Sequence, residues 1–351
     1  MQIFLNILFL ILGLFFLIKG SDLFVDGASG IAKKMKISSF IIGVTVIAIG
    51  TSLPELSVSI ISSIKGNSGV ALGNIVGSNM FNMLFALGVI SVVSPVIIKG
   101  NIKKLDMPIL ILITSCLLFF VSNKFITNNT ENFLTCVEGC ILLVLTILYM
   151  VITIIRGKKS KNSEEEITEE INENKPGIIQ TEKKTFFNKI KSFKEKHSKS
   201  IWFLILNLVV GLAGVIFGGE CVSATAEFLA LKMGMSEMLV GVTIVAISTS
   251  LPELVVSLMA VHKNETDMAL GNLIGSSILN IGLVLAIAVI IKDIVIPATV
   301  LINLGIMTAA VLIVSMFVFF GNKINRYSGA FLMVLYISYL VYSCLVIWFY
   351  K

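Results

Sequence analysis

The sequence predicts an all-α integral membrane protein, with ten transmembrane helices in two inverted five-helix repeats. Three observations predict it. The 351 residues are 56% hydrophobic and 14% charged, with a mean hydropathy of +0.97, whereas a soluble globular domain carries about 25% charged residues. Apolar runs long enough for a hydrocarbon layer about 30 Å thick recur along the whole chain. A segment near residue 43 is repeated 198 residues later, an odd number of runs away. This composition excludes an ordinary cytosolic enzyme.

Taken in order, the runs fall near 2–32, 38–63, 69–93, 106–123, 133–155, 201–231, 238–261, 268–291, 297–320 and 328–350. The first and sixth are long enough to require a tilt or a break. The N-terminus has no basic residue before Lys19, and its apolar run exceeds the roughly 7–15 residues of a signal peptide, so it is expected to remain as the first helix. Between the fifth and sixth runs lies the one long polar segment, Arg156 to Ser200, with acidic Glu164–Glu173 flanked by basic stretches. It reads as a solvated linker or short surface helix. The chain therefore divides into a half at 1–155, a charged linker at 156–200 and a half at 201–351.

Orientation follows from lysine and arginine placement. With the N-terminus outside, twenty-one of these residues face the cytoplasm, twelve of them in the linker. Five face outward: Lys65, Lys124, Lys232, Lys292 and Lys351. Both termini are expected outside a cell membrane and the linker inside, with lipid as the surrounding partner. Lysine and arginine outnumber aspartate and glutamate, 27 to 21, but they sit in short segments between apolar runs. There is no basic-aromatic groove or zinc-finger spacing, so no nucleic-acid partner is expected. The five cysteines lie in or beside apolar segments and read as packing residues.

The repeat carries the chemistry. Residues 43–88 and 241–286 align without a gap, with 22 identities in 46 positions that include Thr-Ser-Leu-Pro-Glu-Leu and Gly-Asn-x-x-Gly-Ser. Copies separated by five spans enter the membrane from opposite sides, and a shared site near the midplane is the architecture of alternating access. Each copy places a carboxylate mid-span, Glu55 and Glu253, where a charge requires a cavity or a cation. Thr51, Ser52 and Glu55 share one helical turn, as do Thr249, Ser250 and Glu253. Pro54 and Pro252 remove a backbone donor, so a kink is expected one turn before each glutamate, freeing carbonyls near Ala48 and Ala246. The second helix of each repeat adds Ser78, Asn79 and Asn82, and Ser276, Ser277 and Asn280. Gly73, Gly77, Gly271 and Gly275 are read as packing positions. This all-oxygen set, with no histidine or cysteine nearby, suits a hard cation such as Ca²⁺ or Na⁺. Two carboxylates match the charge of one Ca²⁺, and several Na⁺ or two protons can take its place. No nucleophile–base pair or metalloprotease motif supports an enzyme.

At these residues, GTSLPE at 50–55 and STSLPE at 248–253, each followed by GN-x-x-GS, the chain resembles the cation/calcium exchanger superfamily, specifically the prokaryotic sodium/calcium antiporters. The resemblance implies ten helices in two inverted halves. The second, third, seventh and eighth form the ion-binding core, and the long first and sixth slide across it. It implies Ca²⁺/Na⁺ antiport without a cofactor, with Ca²⁺/H⁺ antiport through the same site as the alternative, and a monomer suffices. Glu55 and Glu253 become the central carboxylates. Thr51, Ser52, Thr249, Ser250, Ser78, Asn79, Ser276 and Ser277, with the carbonyls of Ala48 and Ala246, complete the sites, and Asn82 and Asn280 fill the remaining pair. Some relatives, including potassium-dependent exchangers, carry aspartate where Asn280 stands, so potassium co-transport is not expected. Asp22 and Glu220, equivalent under the 198 offset, are either ion-access or interface residues. Asp26, Glu138 and Glu227 read as interface residues.

Overall fold

Apolar runs without internal breakers form single long helices. In this computed structural model, which describes residues 2–100, 102–122, 132–172, 200–232, 244–296 and 298–349, the first run is α1 (Gln2–Met35), 34 residues long. Its counterpart is α7 (Ile201–Lys232), 32 residues long. At 1.5 Å per residue each is about 50 Å long, well over the hydrocarbon thickness of about 30 Å, and each runs as one helix without the break that was the alternative to a tilt. Small residues let the two backbones touch. A Cβ added at Gly20 would stand 2.6 Å from the Val215 nitrogen, and one at Gly218 2.4 Å from the Leu17 nitrogen.

Proline breaks the next run. Helix α2 (Ser39–Thr51) and helix α3 (Leu53–Ile64) meet at a 44° bend. Ser52 sits at the joint with φ −84° and ψ 5°, just before Leu53-Pro54. The equivalent helix α8 (Ala246–His262) is interrupted in the same way at Ser250, with φ −91° and ψ 3°. Pro54 and Pro252 each lie in the first turn after the break, where a missing N–H is tolerated.

Helices α4 (Gly69–Val93) and α9 (Thr266–Ile291) follow these broken helices and form the centre. Their most apolar stretches are 83% and 78% buried, against 28% for α1 and 22% for α7. Both widen midway into π-helical turns, at Phe81–Ala86 and at Asn280–Leu285. Another such turn, Gly43–Ile47, lies in α2. The periphery comprises α5 (Ile102–Val121), α6 (Cys136–Asn172), α10 (Ala298–Phe320) and α11 (Arg326–Phe349). Exposed Phe9, Phe15, Leu206, Phe217, Val144 and Leu148 cover the outer faces of α1, α7 and α6, as expected of a multi-pass membrane protein in lipid.

Ten spans were expected. Among the described residues, eight helices are long and apolar enough to cross, nine when α2 and α3 count as one bent span, and α8 is a shorter apolar helix. The start of the expected seventh span, residues 238–243, lies outside the described residues, as do Lys124, Lys351 and positions 173–199 of the linker. The linker's beginning is a continuation of α6, which stays helical to Asn172.

Short strands join the two halves at the helix ends. Strand β1 (Val96–Ile97) pairs antiparallel with β4 (Lys323–Ile324), and β2 (Asn132–Leu134) pairs with β3 (Ile294–Ile296). The α8–α9 turn is tied to α1 by charge. Lys263 Nζ lies 2.6 Å from Asp22 Oδ1 and 2.7 Å from Asp26 Oδ1, and Lys33 Nζ lies 2.8 Å from Glu265 Oε1. That turn passes through the left-handed region at Asn264 (φ 61°), as the equivalent α3–α4 turn does at Gly66 (φ 78°).

Candidate cation-binding site

The breaks in α2–α3 and α8 lie against the middle of α9 and α4, and all the predicted site residues are buried there. Glu55 and Glu253 are both 0% exposed. Each stands in the first turn after its break, where helix N-termini favour negative charge. Glu55 Oε1 accepts from Ser78 Oγ at 3.3 Å and from Ser250 Oγ, in the other half, at 3.1 Å. Thr51 and Ser52 lie beside Glu253.

The halves interlock through polar side chains. Thr51 Oγ1 donates to Asn272 Oδ1 at 3.1 Å and stands 3.3 Å from Ser276 Oγ. Reciprocally, Thr249 Oγ1 donates to Asn74 Oδ1 at 3.2 Å. Asn79 Nδ2 donates to the Ser277 carbonyl at 3.3 Å, and Asn280 Nδ2 donates to Asn79 Oδ1 at 3.3 Å. The small residues make this approach possible. A Cβ at Gly77 would lie 2.7 Å from Ala246 Cβ, and one at Gly275 would lie 2.9 Å from Ala48 Cβ.

Two expectations need correction. The Ala48 carbonyl is not freed by the break, because it still accepts the Ser52 N–H at 3.1 Å. The Ala246 carbonyl lies 3.2 Å from Thr249 Oγ1, as a second acceptor in reach of that hydroxyl. Each retains a second lone pair, so they stay available as acceptors but not bare ones. Gly73 is the second correction: an added Cβ there meets nothing within 4 Å among the described residues, whereas Gly77, Gly271 and Gly275 pack closely.

Asn74 and Asn272 were missed as site residues. They are the amides of the two Gly-Asn-x-x-Gly-Ser motifs, and their recurrence in register, mid-span, was the available signal. The charged residues outside the centre fall into distinct settings. Asp22 and Asp26 pair with Lys263. Glu138 accepts from Thr135 N at 2.7 Å at the start of α6. Glu220 and Glu227 line a cavity of about 200 Å³ between α7, α3 and α8, whose wall includes Ser248 and Thr249.

What remains unpaired defines the chemistry. Among the described residues, Glu55 Oε2, both carboxylate oxygens of Glu253, Ser52 Oγ, Asn280 Oδ1, and both amide atoms of Asn82 are buried without a hydrogen-bond partner. Buried polar atoms are ordinarily satisfied. Unpaired oxygens on two neighbouring carboxylates suit a hard cation. Replacing Asn280 with aspartate adds a third carboxylate and removes the donor to Asn79. The expected result for Asn280→Asp is a changed Na⁺ and pH dependence of Ca²⁺ uptake, and an unchanged profile would make this position peripheral.

A membrane-embedded, all-oxygen site built from broken helices of two interlocked halves is that of an ion-exchanging transporter rather than an enzyme. The family model described as sodium/calcium exchanger protein matches twice, over residues 5–155 and 203–345. The sodium/calcium exchanger MaX1 of Methanosarcina acetivorans is 35% identical over 349 residues, 96% of this chain and 97% of that protein. The inner membrane protein YrbG of Escherichia coli is 29% identical over 282 residues, 80% of this chain and 78% of that protein. Among solved structures, the sodium-calcium exchanger NCX_Mj superposes with a TM-score of 0.76 at 30% identity, covering 96% of this chain and 98% of the other. The chain belongs to the sodium/calcium exchanger family, as a cation/calcium exchanger of the prokaryotic kind.

Proposed function

We propose that the protein exchanges Ca²⁺ for Na⁺ across the cell membrane by alternating access, with Glu55 and Glu253 as the central ligands. The observation that carries this reading is the set of unpaired carboxylate oxygens on Glu55 and Glu253. Two carboxylates balance one Ca²⁺. The hydroxyls of Thr51, Ser52, Thr249, Ser250, Ser78, Ser276 and Ser277, the amides of Asn79, Asn82 and Asn280, and the carbonyls of Ala48 and Ala246 supply the neutral oxygens that Na⁺ needs and a proton does not. The name of MaX1 and the Na⁺ and Ca²⁺ soaks of NCX_Mj lend support. No cofactor enters, and one chain holds the complete site.

In this reading ten helices form two inverted halves, 1–155 and 201–351, joined by the linker 156–200. The lysine and arginine distribution supports termini outside and the linker in the cytoplasm. The test is radiolabelled Ca²⁺ uptake into Na⁺-loaded proteoliposomes at matched pH and clamped potential. Uptake that requires the outward Na⁺ gradient and survives a protonophore is the expected result. Uptake driven only by an outward proton gradient would retain the site and replace Na⁺ with H⁺.

A further inference from the structure

A hydroxyl carries one proton and two lone pairs, so it serves a cation only when its proton is taken elsewhere. Thr249 has two acceptors in reach, and Thr51 has the equivalent two together with Ser276 Oγ at 3.3 Å, a hydroxyl that can itself donate to Thr51. Thr51 Oγ1 lies 3.1 Å from Asn272 Oδ1 and 3.5 Å from the Ala48 carbonyl. Thr249 Oγ1 lies 3.2 Å from Asn74 Oδ1 and 3.2 Å from the Ala246 carbonyl. A proton given to the carbonyl occupies one of its lone pairs. A proton given to the amide leaves the hydroxyl's lone pairs, and whatever lone pair the carbonyl still has, open toward the ion.

The amides are held in the orientation that accepts. Asn272 Nδ2 donates to Ser257 Oγ at 3.0 Å and to the Glu253 main-chain oxygen at 3.3 Å. Asn74 Nδ2 donates to Ser59 Oγ at 3.3 Å and to the Glu55 main-chain oxygen at 3.5 Å. A flipped amide would turn its oxygen toward a main-chain oxygen and lose that bond. Both asparagines are buried, Asn74 at 4% and Asn272 at 0% exposure, so their accepting oxygens are held away from bulk water.

Resting on the site proposed above, we propose that Asn74 and Asn272 are positioning residues for the transported cation. Each takes the hydroxyl proton of the threonine from the opposite half, so that Thr249 and Thr51 present lone pairs and their protons do not claim the Ala246 carbonyl or the remaining lone pair of the Ala48 carbonyl. The ligand set of either half is then complete only when the other half supplies its amide.

The test is a pair of double-mutant cycles on the full-length protein. Half-saturating Ca²⁺ is read from uptake in proteoliposomes and from Ca²⁺-induced thermal stabilisation of the purified chain. Thr51→Val and Asn272→Leu are each expected to raise it about tenfold, the size of one lost charge-assisted contact. The double variant is expected to stay near tenfold, because the amide acts through that hydroxyl. Asn272→Leu combined with Thr249→Val is expected to compound to about a hundredfold. Full compounding with both threonine variants, or no shift in Asn272→Leu, would overturn the proposal and leave Asn272 a structural residue. If Thr51→Val and Thr249→Val both leave half-saturation unchanged, the site reading itself fails. Asn272→Ser, smaller and still polar, runs through the same cycles if the leucine variant does not fold.

Discussion

Glu253→Gln is expected to abolish Ca²⁺ transport while leaving a folded protein. Among the described residues both oxygens of Glu253 lack hydrogen-bond partners, whereas Glu55 has two hydroxyl donors on one oxygen. Glutamine keeps the shape and removes one of the two charges that balance a divalent ion. Breaking a buried charge pairing by removing one partner costs about 3–5 kcal/mol, which corresponds to an affinity loss of at least about a hundredfold. In the ion-free protein glutamine keeps the shape of the buried side chain and leaves no charge to be buried there, so the thermal unfolding temperature should hold or rise. Stabilisation by added Ca²⁺, which follows from preferential binding to the folded state, should vanish. Uptake and thermal shift are measured on the same preparation, and substantial Ca²⁺ uptake by the variant would refute the site assignment.

Gly275→Ala tests the packing that brings the halves together. The new Cβ would lie 2.7 Å from Val44 Cα and 2.9 Å from Ala48 Cβ. Backbone cannot yield as a side-chain tip does, so α2 must move away from α9 at the level of Thr51. Overpacking of this kind costs about 1–3 kcal/mol, and it opens the Thr51 contacts to Asn272 and Ser276. Exchange is expected to fall at least about tenfold, with a lowered unfolding temperature. Gly305→Ala is the control. A Cβ there meets nothing within 4 Å among the described residues, and alanine gains about 1 kcal/mol of helix propensity, so that variant should unfold no earlier than the parent. Equal behaviour of the two would remove the steric argument.

The parts of this molecule written in periodic or chemical signals were readable in advance. Leu-Pro-Glu announced both helix breaks, because a missing N–H cannot be compensated inside a regular helix. The gapless repeat placed two carboxylates in equivalent settings, and the structure buries them among the predicted hydroxyls and amides. Features set by tertiary contact were not readable. The π-helical turns at Phe81–Ala86 and Asn280–Leu285 have no hydropathy signature, since one extra residue per turn leaves an all-apolar run apolar. Two- and three-residue strands fall below any alternation pattern. Asn74 and Asn272 were visible in the repeat, but only the fold shows that each faces the threonine of the opposite copy. The Ala48 carbonyl kept its backbone bond because the chain breaks at Ser52, after the turn that supplies the donor. Lys263 recurs at the 198 offset as Lys65, yet its pairing with Asp22 and Asp26 depends on where α1 crosses.

The backbone-to-backbone seam of α1 against α7 bears on whether the polypeptide needs to be continuous. Besides that seam, the halves share the reciprocal Thr–Asn bonds, the two strand pairs and the Lys263 ion pairs, none of which involves residues 156–200. Severing the chain there would leave every one of these joints in place. Fragments 1–155 and 201–351, expressed together as separate polypeptides, should find each other in the bilayer and co-purify on a tag carried by one alone. Recovery of the tagged fragment by itself would show that the covalent connection is needed for assembly. If they do co-purify, the protein is in physical terms a heterodimer whose subunits happen to be translated as one.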